Sequence, residues 1–541
     1  MGRISDSFVV LYVGLAAAVY FMPEETFHRS KAATIAQLFA TITTSKLIYQ
    51  LFLYPQYFTP LKNIKTPGGR HWWCGNTQNA FLETPYDSIR DWVKAFPGEG
   101  LIRFYVVGNL ERVIPTSTKA LSELLVTKVY DFEKPRTVRQ GLRRLVGDGI
   151  ILAEGEEHKF QRKNLMPAFA YRHIKDLYPI FWAKSSEMVK LIREDLASRK
   201  PGDDNTIQIR NWASRTTLDI IGVAGMDQDF DSLRHPENNL NQAYMDLLAP
   251  PDLFAKVLFM IGLFLGNMKV LQKIPTKRNK RITEGGNIIR NVASQMIRQK
   301  KAKMEDPTAE TGIDIISVAM RNGTFDEENL VDQLMTFLGA GHETTATAMQ
   351  WAVYALSKNP EVQTRLREEI HASLPPVSVE NPQPISAALI DSLPYLHAVC
   401  NEVLRFYPAV PTTIRVASRD TTLVGNHIPK DTFLVISPEI INHLENLWGP
   451  DADTFNPDRF LGEGKGNSGG ATSNYANLTF LHGPRSCIGQ GFAKAELACL
   501  LAVFVGSFEF ELKYPDAKLE LREGGATVSP RDGVLAKLTP L

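Results

Sequence analysis

Apolar residues recur every three or four positions over ~327–357, ~360–372 and ~393–407, with charged residues between them. That period predicts three helices, each laying one face on a core. A fourth helix is predicted from Ile488 to about Phe508, where "IGQGFAKAELACLLAVFVGSF" is apolar almost all round, as a buried helix is. Strand signals are few. In "TTLVGNHIPKDTFLVIS", Thr421–Ser437, β-rich runs flank Gly425-Asn426 and Pro429-Lys430-Asp431, which predicts a pair of hairpins. No internal repeat is present. The expected fold is mainly α with small β-sheets.

The N-terminal pattern differs. Phe8–Met22, "FVVLYVGLAAAVYFM", carries no charge and is closed by Pro23. At about fifteen residues it falls short of the ~20 that span a bilayer. Ala32–Tyr54 is longer but diluted by Gln37, threonines, Lys46 and Gln50. A cleaved signal peptide is the alternative, but only Arg3 is basic in the flank and no small-residue cleavage site precedes Pro23. We therefore expect a membrane anchor of one or two helices over residues 1–54. Pro55, Pro60, Pro67, Gly68 and Gly69 make residues 55–70 a stiff hinge, ahead of one large domain over residues 71–541. Lys62, Lys65 and Arg70 beside the anchor favour a cytosolic domain. Pro250–Met268 is strongly apolar and is read either as a bilayer contact or as core.

The 541 residues carry 60 basic and 59 acidic side chains, a net charge of +1, which argues against a nucleic-acid partner. The four cysteines, Cys74, Cys400, Cys487 and Cys499, form neither a CxxC pair nor a zinc spacing. A disulfide framework is not expected in a chain with so large a core, which suits a reducing compartment.

One cysteine stands apart. In "FLHGPRSCIGQ", Phe480–Gln490, Cys487 immediately precedes the predicted apolar helix. Free N–H groups and the positive helix end favour a thiolate there. Gly483 permits a bend, Pro484 stiffens it, Gly489 lets a flat group approach, and Arg485 supplies a cation. The combination fits a haem, with sulfur on the iron and arginine on a propionate. The bland alternative is a structural cysteine at a helix start. Phe480, Gly483, Arg485, Cys487 and Gly489 fill every fixed position of Phe-x-x-Gly-x-Arg-x-Cys-x-Gly, and the chain here resembles the cytochrome P450 family.

Three further stretches carry the resemblance. Glu402 and Arg405 stand at i,i+3 in "NEVLRFYPAVP". Alone they would be an ordinary surface pair; the family implies a structural triad with Arg459 of "DTFNPDRF". "LGAGHETTATAMQ" puts Gly339, Gly341, Thr344 and Thr345 inside a helix, where they are poor formers. A close helix crossing would explain the small residues. The family implies instead a local distortion, with Glu343 and Thr344 as the acid–alcohol pair that delivers protons. In "GEEHKFQRKNLMPAFA" the family's Trp-x-x-x-Arg becomes His158 and Arg162; the arginine is implied to meet a propionate, and His158 either does so or faces solvent. Arg415, ten residues beyond Arg405, matches another propionate position.

The resemblance covers nearly everything after residue ~60. It implies a helical prism with haem b between the Thr344 and Cys487 helices. It implies a monooxygenase that places one atom of O2 in a lipophilic small molecule, in a style resembling fungal enzymes of secondary metabolism. Electrons would come from an NADPH-cytochrome P450 reductase, for which the basic "HKFQRK", His158–Lys163, is a docking surface. The enzyme is expected as a monomer on the endoplasmic reticulum membrane, catalytic domain in the cytosol. Two rivals are an electron-independent haem-thiolate isomerase or dehydratase and a non-catalytic sensor; neither has a use for Glu343 and Thr344.

Overall fold

Asp326 caps the longest helix by accepting a hydrogen bond from the Asn329 N–H, and Glu327 and Glu328 complement the positive end of its dipole. This helix, α5, runs unbroken over Glu327–Lys358. The computed structural model describes residues 13–541 apart from 16, 24–29, 78–84, 201, 203, 248, 250, 266–270, 307–313, 322, 376–384 and 523–526. Other helices used below are α1 Lys31–Ile48, α2 Gly155–Leu165, α3 Ile209–Met226 and α4 Leu253–Leu265. After α5 come α6 Pro360–Ser373, α7 Pro394–Phe406 and α8 Gln490–Ser507. Pro360 and Pro394 open α6 and α7 at the first turn, where a missing N–H costs nothing. The observed spans agree with the periodicity to within a few residues.

The chain divides into two compact units, Met1–Glu133 with Thr413–Ile440, and Lys134–Thr412 with Ile441–Leu541. The first holds a five-stranded sheet in the order β1-β2-β8-β5-β3, with β1 Leu101–Val106, β2 Leu110–Pro115, β3 Phe132–Glu133, β5 Thr413–Ala417 and β8 Phe433–Ile436. Pairing is antiparallel except between β2 and β8. The hairpin β6 Thr421–Leu423 with β7 Asn426–Ile428 turns at Val424 and Gly425, both at positive φ. That is one residue earlier than the sequence suggested, and Val424 takes a backbone region that β-branched residues avoid. The second expected hairpin does not form: β8 pairs with β5 and β2, because edge strands were available to it that the local sequence does not reveal.

Of Phe8–Met22, residues 8–12 and 16 lie outside the described residues, and residues 13–15 and 17–21 are helical. Helix α1 buries none of its residues and continues into the wider helical turns of Tyr49–Phe58. Among the described residues, one helix is long and apolar enough to cross a bilayer, and it is α8, which is mostly buried in the protein.

The second unit is built on α5. Helix α3 crosses it where a side chain at Gly341 would come within 3.0 Å of Ile221. A Cβ at Gly339 would meet Val146 at 3.2 Å. The small residues of this stretch therefore do serve a close crossing. The expected distortion is not seen: every residue from Leu338 to Gln350 is α-helical. Helix α8 also packs on α5, and a small antiparallel sheet, β4 Thr206–Gln208, β10 Leu535–Pro540 and β9 Phe508–Leu512, lies in the same unit.

Candidate active site

The loop before α8 is tied to itself first. The Cys487 N–H donates to Phe480 O at 2.8 Å, and Gly483 at φ +74° makes the bend between them. Gly489 caps α8. A Cβ there would meet only Phe169, at an ordinary 3.8 Å, so the surface beside the sulfur is open. The Cys487 side chain is exposed, yet protein closes around it enough that burial raises its thiol pKa. The Gly489 N–H and the Arg162 charge pull the other way without winning. A coordinated cation would deprotonate the sulfur outright.

Arg162 of α2 reaches this loop, donating from Nη1 to Ser486 O at 2.5 Å and from Nη2 to Ser486 Oγ at 3.3 Å. Arg485 is buried and forms an ion pair with Glu154, whose other oxygen accepts the Lys134 N–H at 2.8 Å. His158 is buried, which removes the alternative that it faces solvent. In "HKFQRK" only Lys159, Phe160 and Lys163 are exposed, Lys159 paired with Glu156 at 2.5 Å. Arg415 belongs to the other unit, on β5, where it donates to Thr413 Oγ1 and Ile414 O.

On α5, Thr344 Oγ1 donates to Ala340 O at 2.9 Å, one turn back. Glu343 Oε1 accepts from Thr527 Oγ1 at 3.1 Å. Burial pushes the Glu343 carboxyl up, opposed by the Arg210 charge and the Thr527 hydroxyl. The triad does close. Arg405 donates to Glu402 through Nε at 2.6 Å and Nη2 at 2.7 Å, and Arg459 Nε meets Glu402 Oε1 at 3.3 Å.

The donor set suits a haem. One exposed sulfur stands at a helix start, the Arg162 guanidinium grips its loop, Arg485 of that loop is a buried cation, and an open glycine surface lies beside it. Comparison with known proteins agrees. The profile of the cytochrome P450 family matches residues 66–536. The chain belongs to the cytochrome P450 family. It is 62% identical to cytochrome P450 monooxygenase sphH of Aspergillus fumigatus, over 100% of this chain and 99% of that one. It is 40% identical to cytochrome P450 monooxygenase FSL4 of Gibberella zeae, over 91% of each, and 39% identical to FUM15 of Gibberella moniliformis, over 89% and 88%. It is thus an enzyme of the P450 monooxygenase class, and the family carries a haem held by a thiolate. Glu154, Ser486, Arg210 and Thr527 were not found from the sequence. Ser486 lies inside the motif, but the other three have no local signal.

Proposed function

We propose that this P450 inserts one atom of O2 into a lipophilic small molecule during biosynthesis of a secondary metabolite, using haem b and electrons from an NADPH-dependent reductase. The observation that carries this reading is Cys487, exposed at the head of a buried helix, with Arg162 fixing the residue before it. When bound, the haem supplies activation of O2. The protein's own residues do the rest. Cys487 would hold the iron, and Arg485, Arg162 and His158 would bind propionates. Phe480 and Gly489 shape the loop. Glu343 holds a proton on its carboxyl and Thr344 passes it from Oγ1, while Glu402, Arg405 and Arg459 hold the fold.

The fungal relatives favour secondary metabolism. Exposed Lys163 is a cation on the face where an acidic reductase would dock. Helix α1, with no buried residue, and the exposed Leu253, Phe254 and Val257 of α4 suit a membrane, on our reading that of the endoplasmic reticulum, with the catalytic unit cytosolic and monomeric. Alkaline extraction should leave the protein in the pellet, and release into the supernatant would count against the anchor.

The deciding experiment is the reduced carbon monoxide spectrum of the full chain. The Soret band should stand where the family name puts it and vanish in Cys487→Ala; its survival in that variant refutes the assignment. Thr344→Ala should lower product and raise peroxide per NADPH. Extracts of the source fungus with and without the gene would then identify the substrate.

A further inference from the structure

Glu343 is held by a part of the chain 184 residues away. Thr527 Oγ1 donates to its Oε1 at 3.1 Å. The next residue, Val528, is fixed on both sides: its N–H donates to Ala409 O at 2.9 Å, and its carbonyl accepts from Trp351 Nε1 at 2.9 Å. Trp351 lies on α5 itself, buried, with its ring stacked on Tyr407 at 4.5 Å between centroids and 2° between planes. The backbone beside Thr527 is therefore pinned to the same helix that carries Glu343, two turns further on. The segment has few other ways to move without breaking one of these bonds.

A buried carboxyl with a free choice of rotamers would find its own partners. A fixed hydroxyl can serve both of its forms, donating to a carboxylate and accepting from a carboxylic acid. The other oxygen, Oε2, makes no hydrogen bond among the described residues. The Arg210 charge opposes the rise of the acid's pKa.

We propose that Thr527 is a positioning residue for Glu343: clamped through Val528 to Trp351 and Ala409, its hydroxyl holds one carboxyl oxygen and leaves the other turned out for proton exchange. This rests on the reading of Glu343 as the proton-delivering acid. Thr527 itself moves no proton to substrate.

The test uses the haem-loaded full chain with its reductase, as wild type, Thr527→Val, Thr527→Ser and Glu343→Gln. Two quantities are measured: peroxide formed per NADPH consumed, and the infrared carboxyl band that disappears in Glu343→Gln. Losing one hydrogen bond should raise peroxide per NADPH about two- to tenfold in Thr527→Val. It should also shift the Glu343 band, and Thr527→Ser should restore both. If Glu343→Gln uncouples while Thr527→Val behaves as wild type in both readouts, the inference is overturned and the reading of Glu343 stands. If Glu343→Gln couples normally, that reading falls and the inference with it. Should Thr527→Val fail to bind haem, Thr527→Ala decides. It removes the same hydroxyl from Glu343 with a smaller side chain, so a rise in peroxide supports the proposal and unchanged coupling overturns it.

Discussion

Among the described residues two glutamates are fully buried, Glu402 on α7 and Glu496 on α8, and the fold treats them in opposite ways. Glu402 receives two bonds from Arg405, one from Arg459 and one from the Asn456 N–H at 2.7 Å. The guanidinium groups are satisfied in turn: Arg405 by the carbonyls of Asn442, Ala452 and Thr454, Arg459 by Asp451. Among the described residues, neither Glu496 oxygen has a hydrogen-bond partner. Thr345 is a nearby polar group that eases its ionisation, but that hydroxyl donates to Gly341 O at 3.4 Å. Burial therefore holds the Glu496 carboxyl well above its ordinary pKa and favours its neutral form. A buried charge survives only when its lone pairs are filled by fixed partners. A buried acid without them survives as the acid. Glu343 lies between the two, with one hydroxyl bond and the Arg210 charge opposing the rise of its pKa.

The largest expected effect breaks the closed cluster. Arg405→Ala leaves Glu402 with too few donors and should cost about 3–5 kcal/mol in denaturant unfolding. A loss under about 1 kcal/mol would mean that the cluster is not what holds this region.

Glu496→Gln should show the opposite character through pH. The native carboxyl keeps its proton to a higher pH than the unfolded chain, whose glutamates ionise near 4.5. The wild type's stability is then fully present below 4.5 and is lost as pH rises toward the native pKa. Relative to Glu496→Gln, wild type should lose about 1.4 kcal/mol per pH unit across that window. Parallel stability curves for the two proteins would show that Glu496 is ionised in the fold. The smallest effect belongs to Thr345→Val, which removes the polar neighbour of Glu496 and one weak helix bond. It should change stability by less than about 1 kcal/mol, and a larger loss would reveal Thr345 as a true partner of the acid.

The two glutamates were not equally visible beforehand. Glu402 announces itself by its i,i+3 arginine and by the separate "DTFNPDRF" segment. Glu496 sits in "AKAELACLL", which reads as a plain apolar helix; its one cue is an acid where every neighbour wants to be buried. The glycines of α5 show the same limit. The sequence marks them as unsuited to a helix, but only the crossing at Ile221 gives the reason.

What the sequence determined by itself was local: the span of α5, α6, α7 and α8, the bend at Gly483, and the loop that presents Cys487. These depend on neighbours three or four positions apart, or on one residue's own backbone freedom. Only the tertiary structure decided that Arg162 grips Ser486, that Arg485 meets Glu154, that β8 joins β2 rather than β7, and that Thr527 holds Glu343. Each of these joins parts of the chain that no short-range pattern links. Which group fills a buried partner's lone pair depends on how helices cross and strands pair, and that is settled by the packing of the whole core.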